Sequence, residues 1–266
     1  MERIAVIAGA GEFPLLVARE LVRRGVEPVV VALQEEADPA IASEATTVYW
    51  QPVGKVGRLL KVLRKEGVDR AILAGKVHKT RIFRDLKPDL TAVRLLWGLR
   101  DRKDDTILTK VADILASEGI TLLPQTTHME AYLPGAQVFT RRLPTDEERA
   151  DVAFGFSIAR EMGRLDIGQT VVVKRGAVLA VEAIEGTDQT IRRGGSLGNG
   201  GAVVVKVAKP GQDLRFDVPA IGLETVVSCL DAGALVLAIE AEKTFFFQRA
   251  EAVSLADRNG VAILAV

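Results

Sequence analysis

Cysteine and histidine are scarce in this chain. Its 266 residues include one cysteine, Cys229, and two histidines, His78 and His128. A single cysteine excludes an internal disulfide and a cysteine-based metal site, which fits a reducing compartment. The histidines have no partner at the spacing of metal ligands, and neither a Walker loop nor a nucleophile elbow accompanies them. We therefore look for chemistry among the carboxylates, the basic residues and the glycine-rich turns.

The chain also has no excess of charge of either sign. Lysine plus arginine and aspartate plus glutamate both number 35, so the formal net charge is zero. This balance argues against a chain-wide basic surface and against nucleic acid as a partner. No stretch offers the roughly 20 apolar residues that a membrane-spanning helix needs. The first apolar run meets Gly9, Gly11 and Glu12 too early to be a signal peptide, so we expect a cytoplasmic protein.

The first half of the chain alternates short apolar runs with helical periodicity. This alternation is typical of βα units around a parallel sheet. The predicted strands cover residues 4–8, 28–33, 71–74 and 120–123. Gly25, Gly67 and Gly119 follow the intervening helices, where a left-handed C-cap belongs. The sequence predicts a Rossmann-like domain over residues 1–134, followed by a linker over 135–144.

The second half, residues 145–266, has a different pattern. Thr145 and Glu148 form a capping box for a helix that runs to Gly163. Strand-like runs follow with fewer helices between them, and one of these runs is 214–218. Five glycines in nine residues at 193–201 predict a mobile loop. The predicted fold class is therefore α/β, with an N-terminal Rossmann-like parallel sheet and a C-terminal α+β domain.

Two features of the first half are suited to an anionic ligand. The first βα junction contains Gly9 and Gly11, and glycine lets backbone amides approach a phosphate at a helix N-terminus. Pro14 stands where a dinucleotide fingerprint needs its third glycine, so a tight turn and a ligand loop both stay open. The segment 76–103 carries nine basic residues against three acidic ones. It begins at Lys76, after a predicted strand, and favours an anionic substrate or membrane surface over a solvated helix face.

Carboxylates form the third group of candidates. Asp104 and Asp105 precede an amphipathic helix, where they either cap the helix or belong to a cation or phosphate site. In the second half Glu185, Asp188 and Asp217 lie in short acidic blocks. Oxygen ligands of this kind suit Mg²⁺, which is usually bound by one or two carboxylates together with substrate phosphates. The spacing alone is weak evidence for such a site.

Five blocks of sequence together resemble a known family. They cover residues 7–15, 103–108, 165–169, 181–188 and 209–222. In order and over nearly the whole chain, they are similar to the LpxI family of UDP-2,3-diacylglucosamine pyrophosphatases. The blocks Glu-Gly-Thr-Asp at 185–188 and Asp-Val-Pro-Ala-Ile-Gly at 217–222 are the specific ones. The sequence departs from the family pattern at Lys103, where a glycine usually precedes the aspartate pair.

The resemblance implies a function and a location. It implies Mg²⁺-dependent hydrolysis of UDP-2,3-diacylglucosamine to UMP and 2,3-diacylglucosamine 1-phosphate (lipid X), in lipid A biosynthesis. It also implies a cytoplasmic enzyme that is peripheral to the cytoplasmic face of the inner membrane. Whether the chain forms a homodimer is left open. Two other functions are weighed against this one: a non-catalytic sugar-nucleotide or lipid carrier, and a nucleotide-dependent oxidoreductase.

The resemblance also assigns roles to residues of this sequence. Asp217 occupies the position of the family's catalytic aspartate, and we expect Asp188 and Glu185 to support it. Asp217 and Asp188 are the expected metal ligands. The residues expected to bind substrate are Gly9, Gly11, Glu12, Phe13, Lys76, Asp104, Asp105, Lys209 and Gln212.

Overall fold

The fold described here is that of a computed structural model, which covers residues 2–77, 89, 91–93 and 104–266, with the backbone alone for 104–106. The chain divides into two units. The N-terminal unit comprises Met1–Met129 together with Leu214–Phe216, and the C-terminal unit comprises Glu130–Asp213 and Asp217–Val266. The stretch 135–144, which the sequence suggests as a linker, lies within the C-terminal unit.

Parallel strands form the centre of the N-terminal unit. They are β1 (Arg3–Ala8), β2 (Glu27–Leu33), β3 (Thr47–Gln51), β4 (Arg70–Ala74) and β5 (Thr121–Leu122). The helices described in this unit are α1 (Phe13–Arg23), α2 (Ile41–Glu44), α3 (Val56–Glu66) and α4 (Asp104–Ser117). The strand order is β3-β2-β1-β4-β5, and all four pairings are parallel. The predicted N-terminal parallel sheet is confirmed.

Strand β3 is the one strand of this sheet that the sequence analysis does not predict. Among the described residues it lies at the edge of the sheet and pairs only with β2. Its first four residues are only half-buried, whereas 4–8 and 29–32 are fully buried in the centre. A half-buried edge strand lacks the long apolar run that marks a strand covered on both faces.

The C-terminal unit is built on a six-stranded mixed sheet. Its strands are β6 (Gln137–Val138), β7 (Thr170–Lys174), β8 (Ala177–Val181), β9 (Val203–Lys206), β11 (Val236–Ile239) and β13 (Ala262–Ala265). A second, two-stranded sheet pairs β10 (Ala220–Ile221) with β12 (Phe245–Phe246). A 3-10 turn at Glu130–Tyr132 opens the unit, and its helices are α5 (Asp146–Arg164), α6 (Thr187–Gly198), α7 (Leu223–Asp231) and α8 (Arg249–Arg258). The strand order of the large sheet is β6-β13-β11-β9-β7-β8.

Helices cover both faces of this mixed sheet. On one face, α5 packs Val152 and Ala159 against Val171 and Val205 of the sheet. On the other face, α6, α7 and α8 cover a second cluster of buried side chains from the same strands. The predicted capping box opens α5: the Thr145 hydroxyl accepts from the amide of Glu148, and the Glu148 carboxylate accepts from the amide of Thr145.

The prediction of a mobile loop over 193–201 is wrong for residues 193–198. Residues 187–198 form helix α6, and the glycines lie on its buried side. A Cβ built on Gly194 would lie 2.6 Å from the Val172 side chain, and one on Gly195 would lie 2.3 Å from the Ala232 carbonyl oxygen. These glycines therefore allow a close approach of the helix to the sheet and to α7, a role that composition alone does not reveal.

The prediction of a strand over 214–218 is also wrong. Residues 214–216 form a turn, and the next three residues have no regular structure. Gln125 satisfies the backbone of this turn: its amide donates to the Leu214 carbonyl (2.7 Å) and its side chain to the Phe216 carbonyl (3.1 Å). Side-chain and loop hydrogen bonds thus replace the strand pairing that the alternating apolar residues suggested.

Candidate functional site

Most of the predicted site residues of the C-terminal unit lie at one edge of its large sheet. Strands β8, β9, β11 and β13 run in the same direction, so their carboxyl ends share this edge. Glu185 and Asp188 follow β8, and Lys209, Gln212 and Asp217 follow β9. The carboxyl edge of parallel strands is where open α/β sheets bind ligands.

Three of the predicted residues are joined by hydrogen bonds in the connection after β9. The side-chain amide of Gln212 donates to Oδ2 of Asp217 (2.5 Å) and its carbonyl accepts from the backbone amide of Lys209 (3.0 Å). The backbone amide of Asp217 donates to the Asp213 carbonyl (3.3 Å), which closes the turn. The Asp217 side chain is exposed. Gln212 therefore fixes the orientation of a carboxylate that solvent and ligands can reach.

The Lys209 ammonium is already engaged in an ion pair. It donates to Oδ1 of Asp166 at 2.7 Å. Asp166 stands in the loop after α5 with a φ of 57°, and the sequence analysis names it only within a family block. In the structure, two features distinguish Asp166: its positive φ, which is uncommon outside glycine, and its ion pair with the predicted ligand residue Lys209.

Glu185 lies near the end of the loop between β8 and α6, where it accepts three hydrogen bonds. Its carboxylate accepts from Arg193 (2.5 Å), from the amide of Ala183 (3.2 Å) and from Thr190 (3.3 Å). Its own backbone amide, and then Arg193, hold the pKa of this carboxyl below its usual range. A carboxylate with a lowered pKa is a weak proton acceptor. Glu185 is therefore better suited to supporting the site than to deprotonating the attacking water.

Asp188 lies in the first turn of α6. Its Oδ1 accepts from the hydroxyl of Ser228, a buried residue of α7, at 3.0 Å. The thiol of Cys229, the residue after Ser228, has a pKa raised to about 12. Burial is the larger cause, and the charge of Asp188 is the smaller one. Within the described residues, no hydrogen bond or ion pair joins Asp188 or Glu185 to Asp217. The structure thus places these three carboxylates at one edge of the sheet, each with its own hydrogen-bond partners.

A buried polar chain lies beneath these groups. Lys206, the last residue of β9, donates to the Thr187 hydroxyl (3.0 Å) and to the Ala220 carbonyl (2.9 Å). The Thr187 hydroxyl in turn donates to Oε1 of Glu182 at 3.0 Å. Lys206 and Glu182 are 7% and 8% exposed. The sequence analysis does not single out Lys206, although a lysine directly after three valines at a strand end is a visible signal.

Glu240 is a second buried carboxylate at this edge that the sequence analysis does not identify. Burial opposes its ionisation, but hydrogen bonds from Lys243, from the Ala208 amide and from Arg160 lower its pKa. The bond from the Ala208 amide is 3.0 Å long. Because Ala208 precedes Lys209, Glu240 fixes the start of the connection that carries Asp217.

The predicted residues of the N-terminal unit also lie at a carboxyl edge. The strand order reverses its direction between β1 and β4, and ligands of open α/β sheets bind at such a point. Residues 9–13 follow β1 and Lys76 follows β4, and Ala10 and Lys76 exchange two backbone hydrogen bonds (2.7 and 3.0 Å). A Cβ on Gly9 would lie 2.4 Å from the Lys76 carbonyl oxygen, so this glycine has a packing role.

The remaining predicted residues are only partly described. Asp104 and Asp105 begin α4, but their side chains lie outside the described residues. Of the basic residues in segment 76–103, Lys76 is described and is exposed, and the others lie outside the described residues. Among the residues that are described, no group of three or more His, Cys, Asp or Glu side chains is placed to hold a metal ion. In the same part of the chain, no helix is long and apolar enough to span a membrane.

Comparison with known proteins matches the whole chain. The family model described as the LpxI N-terminal domain matches residues 3–132, and the one described as the LpxI C-terminal domain matches residues 135–264. The UDP-2,3-diacylglucosamine pyrophosphatase LpxI of Caulobacter vibrioides is 34% identical over 278 residues, which cover 100% of this chain and 98% of that protein.

Solved structures show only distant similarity. The biotin carboxylase subunit of pyruvate carboxylase is 13% identical with a TM-score of 0.29, covering 68% of this chain and 36% of that one. The biotin carboxylase domain of the Hydrogenobacter thermophilus 2-oxoglutarate carboxylase is 13% identical with a TM-score of 0.29, covering 66% and 35%. The chain spans about a third of the length of these proteins, and similarity at this level carries no functional argument.

Proposed function

Because this chain belongs to the LpxI family, we propose that it hydrolyses the diphosphate of UDP-2,3-diacylglucosamine, the substrate for which its Caulobacter vibrioides relative is named. The products are UMP and 2,3-diacylglucosamine 1-phosphate, and the reaction is a step of lipid A biosynthesis. The observation that carries the proposal is the 34% identity over the full length of both chains.

Asp217 is the carboxylate best suited to act on the attacking water. A diphosphate resists hydrolysis because its negative charge repels a nucleophile, so a carboxylate that orients or deprotonates water assists the reaction. Asp217 is exposed, and one of its oxygens is fixed by Gln212. Glu185 has a lowered pKa and is paired with Arg193, so it fits a supporting role in the same unit.

Cations near the diphosphate are the second requirement of this reaction. Lys209 can contribute one, and its present partner Asp166 would then exchange with phosphate oxygens. In the N-terminal unit, the turn at Gly11 that leads into α1 and the exposed ammonium of Lys76 are suited to the nucleotide end.

Mg²⁺ fits the donor chemistry at the carboxyl edge. The predicted ligands Asp217 and Asp188 offer only oxygen, and each has one carboxylate oxygen engaged by a side chain of the described part of the protein. Mg²⁺ commonly binds through one or two carboxylates plus substrate phosphates and water, so a cluster of three protein ligands is not required. When bound, the ion would neutralise charge on the diphosphate oxygens. We expect EDTA to abolish UMP release and added Mg²⁺ to restore it, and Asp217→Asn and Asp188→Asn to weaken Mn²⁺ binding measured by electron paramagnetic resonance.

A substrate with two acyl chains favours a reaction at a membrane surface. We propose that the protein is peripheral to the cytoplasmic face of the inner membrane, since its substrate carries two acyl chains. Co-sedimentation with vesicles that contain anionic lipid, compared with neutral vesicles, measures this association. Analytical ultracentrifugation of the full chain measures its oligomeric state and so tests the proposal of a homodimer.

Release of UMP from the UDP-sugar lipid tests the proposed reaction. In ¹⁸O-water, label in the sugar phosphate means attack on the β phosphorus, and label in UMP means attack on the α phosphorus. Asp217→Ala is expected to lower kcat by roughly 10²- to 10⁴-fold with substrate binding retained. Glu224→Gln, which changes an exposed acid in the first turn of α7, is the matched control and should leave kcat unchanged.

The same assay separates the two other functions. A carrier would bind the UDP-sugar lipid without releasing UMP, and an oxidoreductase would bind NAD in a titration. Either result without hydrolysis would refute the proposal, and near-normal kcat in Asp217→Ala would refute the role of that residue.

A further inference from the structure

A single buried ammonium connects the two chain segments that carry Asp217 and Asp188. Lys206 Nζ donates to the carbonyl of Ala220, three residues after Asp217, at 2.9 Å. It also donates to the hydroxyl of Thr187, the residue immediately before Asp188, at 3.0 Å. These two candidate carboxylates lie in separate hydrogen-bonded groups, and Lys206 spans the gap between them.

Burial makes a lysine a costly choice at this position. Lys206 is 7% exposed and follows three fully buried valines of β9, so an apolar side chain would continue the pattern of the strand. An ammonium removed from water must be compensated by hydrogen bonds and charge. Glu182 provides part of this compensation through the Thr187 hydroxyl (3.0 Å), and it is itself held by the Gln169 amide (3.3 Å).

The held atoms are close in sequence to the reacting groups. Val218 and Pro219, between Asp217 and Ala220, are both buried. The strand pairing of β10 with β12 fixes the same stretch from the other side, since the Phe245 amide donates to the Pro219 carbonyl at 2.8 Å. A shift of the Ala220 carbonyl would therefore move the backbone that presents Asp217.

We propose that Lys206 is a positioning residue, which sets the separation of the Asp217 and Asp188 carboxylates by holding Ala220 and Thr187 together. This inference rests on the proposed function, in which both carboxylates serve diphosphate hydrolysis. Lys206 is too buried to meet the substrate, so its effect on the reaction passes through the two segments that it holds.

The chain contains a matched control lysine at the opposite end of α6. Lys174 Nζ donates to the carbonyls of Gly198 (2.7 Å) and Gly200 (2.8 Å). It therefore also binds two backbone carbonyls, but both belong to one segment, at the amino edge of the parallel strands and away from Asp217. A merely structural role for Lys206 predicts the same consequences for Lys206→Met and Lys174→Met.

The test compares these two variants in the full-length protein. We expect Lys206→Met to lower kcat for UMP release roughly 10- to 100-fold, with KM changed less than about threefold, because misplacement of catalytic groups acts on the chemical step. Lys174→Met should keep kcat within about threefold of the wild type. Amide hydrogen exchange of the peptide 217–222 should be faster in Lys206→Met than in Lys174→Met, and this measurement needs no substrate.

A second pair of variants covers the case in which Lys206→Met does not fold. Thr187→Val removes the hydroxyl that Lys206 binds, and Thr187→Ser keeps it. Loss of kcat in Thr187→Val with recovery in Thr187→Ser supports the inference. Equal kcat and equal exchange in the Lys206 and Lys174 variants, or equal kcat in the Thr187 pair, would overturn it while the proposed function stands. Absence of UMP release from the wild type overturns the proposed function itself.

Discussion

Replacing Gly195 by alanine tests the packing of helix α6 directly. The added Cβ would lie 2.3 Å from the carbonyl oxygen and 2.4 Å from the Cβ of Ala232, the residue that follows α7. Both are main-chain or β atoms, so no flexible side chain can move aside and the helix must shift. Alanine gains about 1 kcal/mol of helix propensity over glycine. Overpacking typically costs about 1–3 kcal/mol, and a contact with backbone lies at the upper end of that range.

The net expectation for Gly195→Ala is a loss of about 1–2 kcal/mol in the free energy of unfolding. Urea denaturation measures it as a lower midpoint at constant slope. Ser196→Ala, the next residue on an exposed position of the same helix, is the control and should change stability by less than about 0.5 kcal/mol. If the segment were a loop with free space, alanine would stabilise it by about 0.4–1 kcal/mol. A Gly195→Ala variant that is as stable as the wild type, or more stable, would refute the packing argument.

Two further predictions concern titratable groups. Burial and the Asp188 charge raise the pKa of the Cys229 thiol to about 12. This thiol should therefore resist Ellman's reagent at about pH 8 in the native protein and react promptly in denaturing urea. Prompt reaction in the native state would contradict this. The lowered pKa of Glu185 means that its charge stabilises the folded state above the ordinary glutamate value of 4.5, and that this contribution is lost as the pH falls through the lowered value. The Tm difference between the wild type and Glu185→Gln should therefore be present at about pH 7 and decrease as the pH falls below 4.5. A difference that does not change with pH would contradict the lowered pKa.

The sequence predicts those parts of the fold that local patterns determine. The central strands β1 and β4 are continuous apolar runs because both faces of the N-terminal sheet are covered, and the Thr145 capping box is a local hydrogen-bond exchange. The glycines of α6 gave the wrong prediction because their purpose is contact with Val172 and Ala232, which are distant in sequence.

The candidate site also contains residues that the sequence predicts and residues that it does not. Asp217, Gln212 and Lys209 lie within one short block, so sequence and resemblance were enough to place them together. Lys206 was missed because its partners, Thr187 and Ala220, come from two other segments that only the folded sheet brings to it. A lysine after three valines is visible in the sequence, but its burial and its long-range partners, which decide its role, are not.

The small segment Leu214–Phe216 has a consequence for how this protein can evolve. It belongs to the N-terminal unit although it lies deep in the sequence of the C-terminal half, and Gln125 binds two of its carbonyls. A gene fragment that ends near residue 132 would encode the five parallel strands without the three residues that complete their unit. A single recombination event near residue 132 would separate Gln125 from the Leu214 and Phe216 carbonyls, and we expect the recombined N-terminal unit to be less stable for that reason.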